Sequence, residues 1–343
     1  MPAFHAKDMF KALQSREVRS MNRPKFKSVF SEEMNKYLDY IVASGYKEKS
    51  YCNHLRQFDR FYIEHEICQP VFTGQHAAEW IQRKENEAST THYSRINGIK
   101  QFLIYLSRKE YHVFVTRDIG FRQTDFQPYI YTEDEITRYF HAVDTYESSR
   151  NRKDAIQFPI LFRLLYCCGT RINETLGIRK QDVDIEDGII RLFETKNNCE
   201  RHIVLNGELG ELMQKYAEKC FYLLDDEQYI FTTSNGGRMS GDVVYECHRL
   251  FLQKAGIPYL GGGRGPRLHD WRHTFSVHSF KQMVDSGLDM YVALPILSTY
   301  LGHKTIYATE QYVRLTMSLY PYIEKRFKDK MDKVFSEVSH END

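Results

Sequence analysis

The sequence predicts a mainly α-helical protein of two domains: an all-α N-terminal domain, then an α+β domain with a small antiparallel sheet. Three observations carry this reading. The chain has 343 residues, 42% of them hydrophobic, which is enough for two cores. Apolar residues recur at helical spacing between Ser31 and Leu106 and again from Ile136 onward. Only between Gly188 and Leu205 does the period fall to two, in Ile189-Ile190-Arg191-Leu192-Phe193 and His202-Ile203-Val204-Leu205 around a polar turn with Lys196, Asn197 and Asn198.

Residues 1–30 read as a basic extension, with Lys7, Lys11, Arg16, Arg19, Arg23, Lys25 and Lys27 against Asp8 and Glu17. Residues 31–114 hold the helical domain. Ser31 is placed to cap a first helix whose stripe is Met34, Tyr37, Leu38, Ile41 and Val42 and which stops at Gly45. A second helix has Tyr51, Leu55, Phe58 and Tyr62, a short third surrounds Ala77, Trp80 and Ile81, and a fourth uses Ile96, Ile99, Leu103 and Leu106. The polar side of the fourth carries Arg95, Asn97 and Lys100 and is a candidate binding face.

Residues 115–131 lack periodicity and contain Gly120 and Pro128, as a linker would. Thr132 and Glu135 form a capping box that opens the second domain, residues 132–320, with Ile136, Tyr139, Phe140 and Val143 on the first helix. The apolar run Phe158 to Cys168 predicts a buried helix leading to Gly169. Beyond the sheet, helical patterns cover Leu209 to Tyr216 and Val243 to Ala255. The loop Gly261-Gly262-Gly263-Arg264-Gly265 lacks the Gly-Lys-Ser/Thr of a phosphate-binding loop. In residues 321–343, Ile323, Phe327, Met331, Val334 and Phe335 form an amphipathic tail.

Composition excludes several classes. No run suits a membrane span and the N-terminus has no apolar signal core, so a cytoplasmic protein is expected. Seven cysteines without a Cys-x-x-Cys pair point to reduced thiols, and neither a metal nor another cofactor is expected. The net charge of +1 is modest for a nucleic-acid enzyme and argues neither way.

The chemistry concentrates in three short motifs. Gly169-Thr170-Arg171-Ile172-Asn173-Glu174 precedes His269-Asp270-Trp271-Arg272-His273, and Leu301-Gly302-His303 is followed nine residues later by Tyr312. Guanidiniums match two phosphate oxygens and stay charged at any working pH, and a phenol beside them can act as a nucleophile. Together these motifs resemble the tyrosine recombinase family, the phage-integrase-like enzymes that break and rejoin DNA through a phosphotyrosine. Trp271 stands where the family commonly has leucine, and the span from Arg272 to His303 is long, with bends expected at Asp285-Ser286-Gly287 and Pro295.

The resemblance implies a core-binding (SAM-like) domain that grips DNA and a catalytic domain with Tyr312 as nucleophile. It gives Arg171 and Arg272 the scissile phosphate, His303 a hydrogen bond to that phosphate and His269 an acid/base role. Lys196 becomes the proton donor to the leaving 5′ oxygen, and Glu174 orients Arg171. It further implies double-stranded DNA as partner, with the face of Arg95, Asn97 and Lys100 as the candidate DNA-facing side, a tetramer on two sites, accessory DNA-bending proteins and a nucleoid location; the tail either docks on a neighbouring protomer or packs within its own chain. Two other classes stay open on the residues alone: a DNA-binding accessory protein without cleavage, and a metal-dependent hydrolase built on the i, i+4 pair His269 and His273.

Overall fold

The computed structural model describes residues 23–46, 48–117, 127–147, 153–193, 200–205, 207–259, 261, 265–303 and 307–321. The chain divides into two compact units, with the cut between residues 126 and 127. Lys196 and its turn, most of the basic extension, most of the glycine loop and the tail after residue 321 lie outside the described residues.

Among the described residues the first unit holds five helices: α1 (Ser31–Ala43), α2 (Lys49–Glu64), α3 (Gly74–Ile81), α4 (Ser89–Gly98) and α5 (Lys100–Arg108). Their apolar stripes meet in a core of Phe30, Met34, Leu38, Phe58, Tyr62, Trp80, Ile96, Phe102 and Leu106. Ser31 does not cap α1; Phe30 occupies the cap position with no side-chain bond. The chain before α1 is instead held by Asp59 of α2, whose carboxylate accepts from the backbone N–H groups of Lys27 and Ser28 at 2.8–3.1 Å. Arg23 forms ion pairs with Asp39 and Glu48 at 2.8 Å.

The expected fourth helix is two, broken between Gly98 and Lys100. The chain packs closely at this break: a Cβ on Gly98 would sit 2.4 Å from the His54 ring. Arg95 also departs from expectation. It is 3% exposed, its Nε donates to Glu87 at 2.7 Å, and its two terminal nitrogens reach the carbonyls of Trp80 and Gln82. Its guanidinium closes the α3–α4 connection over Trp80 and is not a DNA-facing group. Both amide atoms of Asn97 are likewise buried, while Lys100 is half-buried.

In the second unit the capping box forms as read: Thr132 Oγ1 accepts from Glu135 N at 3.3 Å, and the Glu135 carboxylate accepts from Thr132 N at 2.9 Å. It starts α6 (Glu133–Asp144), which packs on the apolar α7 (Asp154–Cys167), followed by the one-turn α8 (Ile172–Thr175). Strands β1 (Val183–Asp184), β2 (Ile189–Leu192) and β3 (Arg201–Val204) make an antiparallel sheet in that order, with Ile190 opposite Ile203 and Leu192 opposite Arg201. Helices α9 (Gly207–Cys220), α10 (Gly241–Lys254), α11 (Asp270–Asp285), α12 (Met290–Leu301) and α13 (Tyr307–Leu319) complete it.

The core joins Tyr139, Phe158, Leu161, Leu165, Ile190, Ile203, Phe251 and Trp271. Trp271 is a core wedge, stacked on Tyr131 with ring centres 3.9 Å apart. Gly287, at φ +96, turns the chain after α11, and Pro295 lies within α12. Among the described residues no helix is long and apolar enough to cross a membrane.

Candidate active site

The first motif is shaped by the end of α7. Gly169 adopts φ +56, a conformation that costs other residues about 1–2 kcal/mol, and a Cβ there would meet the Phe275 ring at 2.3 Å. This turn leaves Arg171 at the N-cap of α8 in an extended conformation. Glu174, one turn on, fixes it twice: Oε2 accepts from the Arg171 backbone N–H at 3.0 Å and Oε1 from its guanidinium at 2.5 Å. Burial alone would raise the pKa of Glu174, but Arg201 and Arg171 outweigh it and hold the carboxyl below its usual range.

Arg272, near the start of α11, is 1% exposed. It donates to the carbonyls of Gly169 and Leu301, both at 2.6 Å, and to His303 Nε2 at 3.2 Å. This one side chain joins the three motifs despite the long span between the second and third. Gly302, left-handed at φ +65, ends α12 and turns the chain to present His303. Because Arg272 can only donate, Nε2 of His303 accepts, and Nδ1 therefore carries the proton that it donates to Thr309 Oγ1 at 2.8 Å.

Tyr312 on α13 is 1% exposed and its hydroxyl lies 3.1 Å from Nδ1 of His273, one residue past Arg272. The Tyr312 ring lies 6.2 Å from the ring of His303. His269 sits at the N-cap of α11, its ring edge-to-face with His273 at 4.8 Å. The imidazole in contact with the phenol is thus His273, which sequence reasoning had weighed only as a metal ligand. Its i, i+4 spacing from His269 was visible, but its aim toward Tyr312 depends on how α11 and α13 pack.

Arg201, the first residue of β3, was also missed. Its Nη2 pairs with Glu174 Oε2 at 2.9 Å, so Arg171 and Arg201 share one carboxylate. Burial first, and then repulsion from Arg171 and Arg201, pull the pKa of Arg272 down to about 9. His303 is lowered to about 4 by burial and by Arg272, Arg171 and Arg201, and His273 to about 4 by burial, Arg267 and Arg272. His269 is lowered to about 4 by the protein packed around it, then by His273 and Arg272; it remains open to solvent, which softens the effect.

A buried gathering of guanidiniums that repel one another is a receptor for an anion, since a bound phosphate would relieve the repulsion. The structure therefore assembles Arg171, Glu174, His269, Arg272, His303 and Tyr312 from the sequence reading, adds Arg201 and His273, and leaves Lys196 outside the described residues. Strands β2 and β3 flank the span that contains it.

Comparison with known proteins agrees with this geometry. The phage integrase family model matches residues 130–318. A Sinorhizobium fredii protein, y4rB, provisionally described as an integrase/recombinase, is 24% identical over 318 residues, covering 88% of this chain and 99% of its own. Tyrosine recombinase XerA of Pyrococcus furiosus is 26% identical over 188 residues, 54% of this chain and 57% of that one. Among solved structures, the Tn1549 transposon integrase in complex with transposon right end DNA aligns with a TM-score of 0.60 at 16% identity, covering 84% of this chain and 99% of that one. A lambda integrase dimer bound to a COC′ core site aligns with a TM-score of 0.59 at 16% identity, over 81% of this chain and 93% of that one. These two share its fold. With the family match spanning more than half the sequence and the three motifs gathered in one place, the chain belongs to the phage integrase family.

Proposed function

We propose that this protein is a site-specific DNA recombinase of the integrase or transposase type, acting on double-stranded DNA at the ends of a mobile element. The observation that carries the reading is the Tyr312 hydroxyl held 3.1 Å from an imidazole, beside the Arg171–Arg201–Arg272 group. Arg171 and Arg272 bind the non-bridging oxygens of a scissile phosphate, and His303 turns from Arg272 to the same phosphate. Tyr312 Oη attacks phosphorus as its proton passes to His273 Nδ1, with His269 beside that ring. The bond to the 5′ oxygen breaks, and a 3′-phosphotyrosine and a 5′ hydroxyl remain. Lys196 supplies the proton to that oxygen, on the family resemblance alone. Attack by a partner strand's 5′ hydroxyl reverses the chemistry, so bond energy is conserved.

Two rounds on two strand pairs pass through a four-way junction, which calls for a tetramer on two sites. Accessory DNA-bending proteins, a nucleoid-associated cytoplasmic location and exchange of the tail between protomers belong to the same proposal. Because Tyr312 is 1% exposed, cleavage follows a shift of α13 on DNA binding.

The second reading, a DNA-binding accessory protein of the same fold, draws on that burial. A nicked suicide duplex from the ends of the element that encodes the protein, incubated in EDTA, separates the two. A covalent protein–DNA adduct supports the recombinase; tight binding without adduct supports the accessory reading.

A further inference from the structure

The side chain of Arg201 is only 8% exposed and reaches three parts of the site. Nη2 donates to Glu174 Oε2 at 2.9 Å, and Nη1 donates to the carbonyl of Tyr300 in the last turn of α12. Its Cδ packs under Gly302, where an added Cβ would lie 3.7 Å away. Glu174 is the carboxylate that holds the Arg171 guanidinium, and Gly302 is the left-handed turn that delivers His303. The neighbouring Leu301 carbonyl accepts from Arg272. One guanidinium therefore spans the carboxylate behind Arg171 and the helix end that sets Arg272 and His303.

This arrangement is costly. Arg201 is buried next to Arg171, and its Nε has no acceptor among the described residues. A side chain needed only to fill space could be apolar at less cost. A planar fork can hold a carboxylate and a carbonyl at a fixed angle, whereas a lysine at the same place can satisfy only one of them well. Its position as the first residue of β3, opposite Leu192, anchors the fork to the sheet.

We infer that Arg201 is a positioning residue for phosphate binding: it fixes the Arg171–Glu174 pair relative to the α12 turn that carries His303. The inference rests on the recombinase reading above and extends it to a residue outside the three motifs. Misplacing the arginine and histidine by about 1 Å costs on the order of 100-fold in the chemical step. Ground-state grip on a long duplex, spread over many contacts, changes little.

The test uses the full-length protein and the nicked suicide duplex, with single-turnover adduct formation and equilibrium duplex binding measured separately. Arg201→Met is expected to slow adduct formation about 100-fold while the duplex dissociation constant stays within about threefold. Arg201→Lys recovers part of the rate. Because Arg201 acts through Glu174, Arg201→Met combined with Glu174→Gln is no slower than the slower single variant. Trp271 fluorescence on heating, in a Trp80→Phe background, verifies that each variant is folded at the assay temperature.

Three results overturn the inference alone: Arg201→Met cleaving at the wild-type rate, the two losses multiplying in the double variant, or the loss appearing in binding with the rate unchanged. A wild type that binds and forms no adduct overturns the recombinase reading and this inference with it.

Discussion

Replacing Arg272 by methionine sets two large opposing effects against each other. The buried cation is unfavourable: a fall of its pKa from 12.5 to about 9 corresponds to roughly 5 kcal/mol of penalty, of which methionine would relieve most. Against this stand two charge-assisted bonds of 2.6 Å, to the carbonyls of Gly169 and Leu301. Each is worth about 1.5–3 kcal/mol, and each carbonyl left without a donor adds about 1–3 kcal/mol of desolvation cost. The carbonyl side comes to about 5–12 kcal/mol and matches or exceeds the relief, so Arg272→Met is expected to destabilise the second unit by up to about 7 kcal/mol while abolishing adduct formation.

Urea unfolding measures the stability term. The protein has two tryptophans, Trp80 in the first unit and Trp271 in the second, so a Trp80→Phe background leaves Trp271 as the reporter. With a slope near 2 kcal/mol/M, the midpoint should fall by up to about 3.5 M. A variant more stable than its parent would refute the reasoning, because it would show that the carbonyl bonds do not offset the burial of the cation.

Further outcomes follow from single contacts. Gly169→Ala should cost about 2–4 kcal/mol, from the left-handed backbone and the 2.3 Å approach to Phe275, and urea unfolding reported by Trp271 checks it. Arg95→Met should lower the stability of the first unit by about 3–5 kcal/mol, since it leaves Glu87 and the Trp80 carbonyl without their donor. At a temperature where that variant is folded, duplex binding by gel shift should stay within about threefold of wild type, because the guanidinium is already engaged inside the domain. Acid should destabilise the second unit. His273 and His303 have folded pKa values of about 4 against 6.5 unfolded, so between these limits the unfolded chain binds more protons and stability rises with pH. It is complete above about pH 6.5 and is lost as the pH falls toward 4, which urea midpoints across that window will show.

Arg171, Arg272, His303 and Tyr312 could be picked out of the sequence as one candidate cluster because each lies in a short motif, and the structure brings these motifs together. Gly169 and Gly302 turn the chain within two of these motifs by left-handed φ. The helical stripes of the first unit were also legible, since Leu38, Phe58, Leu103 and Leu106 recur at the spacing that buries one face. Long-range contacts were not legible. Arg95 lies on the nominally polar side of its helix, yet Glu87 and Trp80, from earlier in the chain, fold back over it. Arg201 sits 27 residues past Glu174, and the sheet that brings them together is set by strand pairing, which local periodicity does not encode. His273 was visible as a residue and invisible as a partner of Tyr312, because 39 residues and two turns separate them. Ser31 failed as a cap because the helix already begins at Ser31: Phe30 holds the cap position and its carbonyl accepts from Met34 N at 2.8 Å.

The most direct test of the central claim is to identify the residue that becomes joined to DNA. The suicide duplex is incubated with wild type and with Tyr312→Phe in EDTA, the adduct is digested with protease and nuclease, and the nucleotide-bearing peptide is sequenced by mass spectrometry. The account predicts a single modified peptide, with the phosphate on Tyr312 in the wild type, and no adduct in the phenylalanine variant. An adduct that persists in Tyr312→Phe, or a modification on another residue, would contradict it.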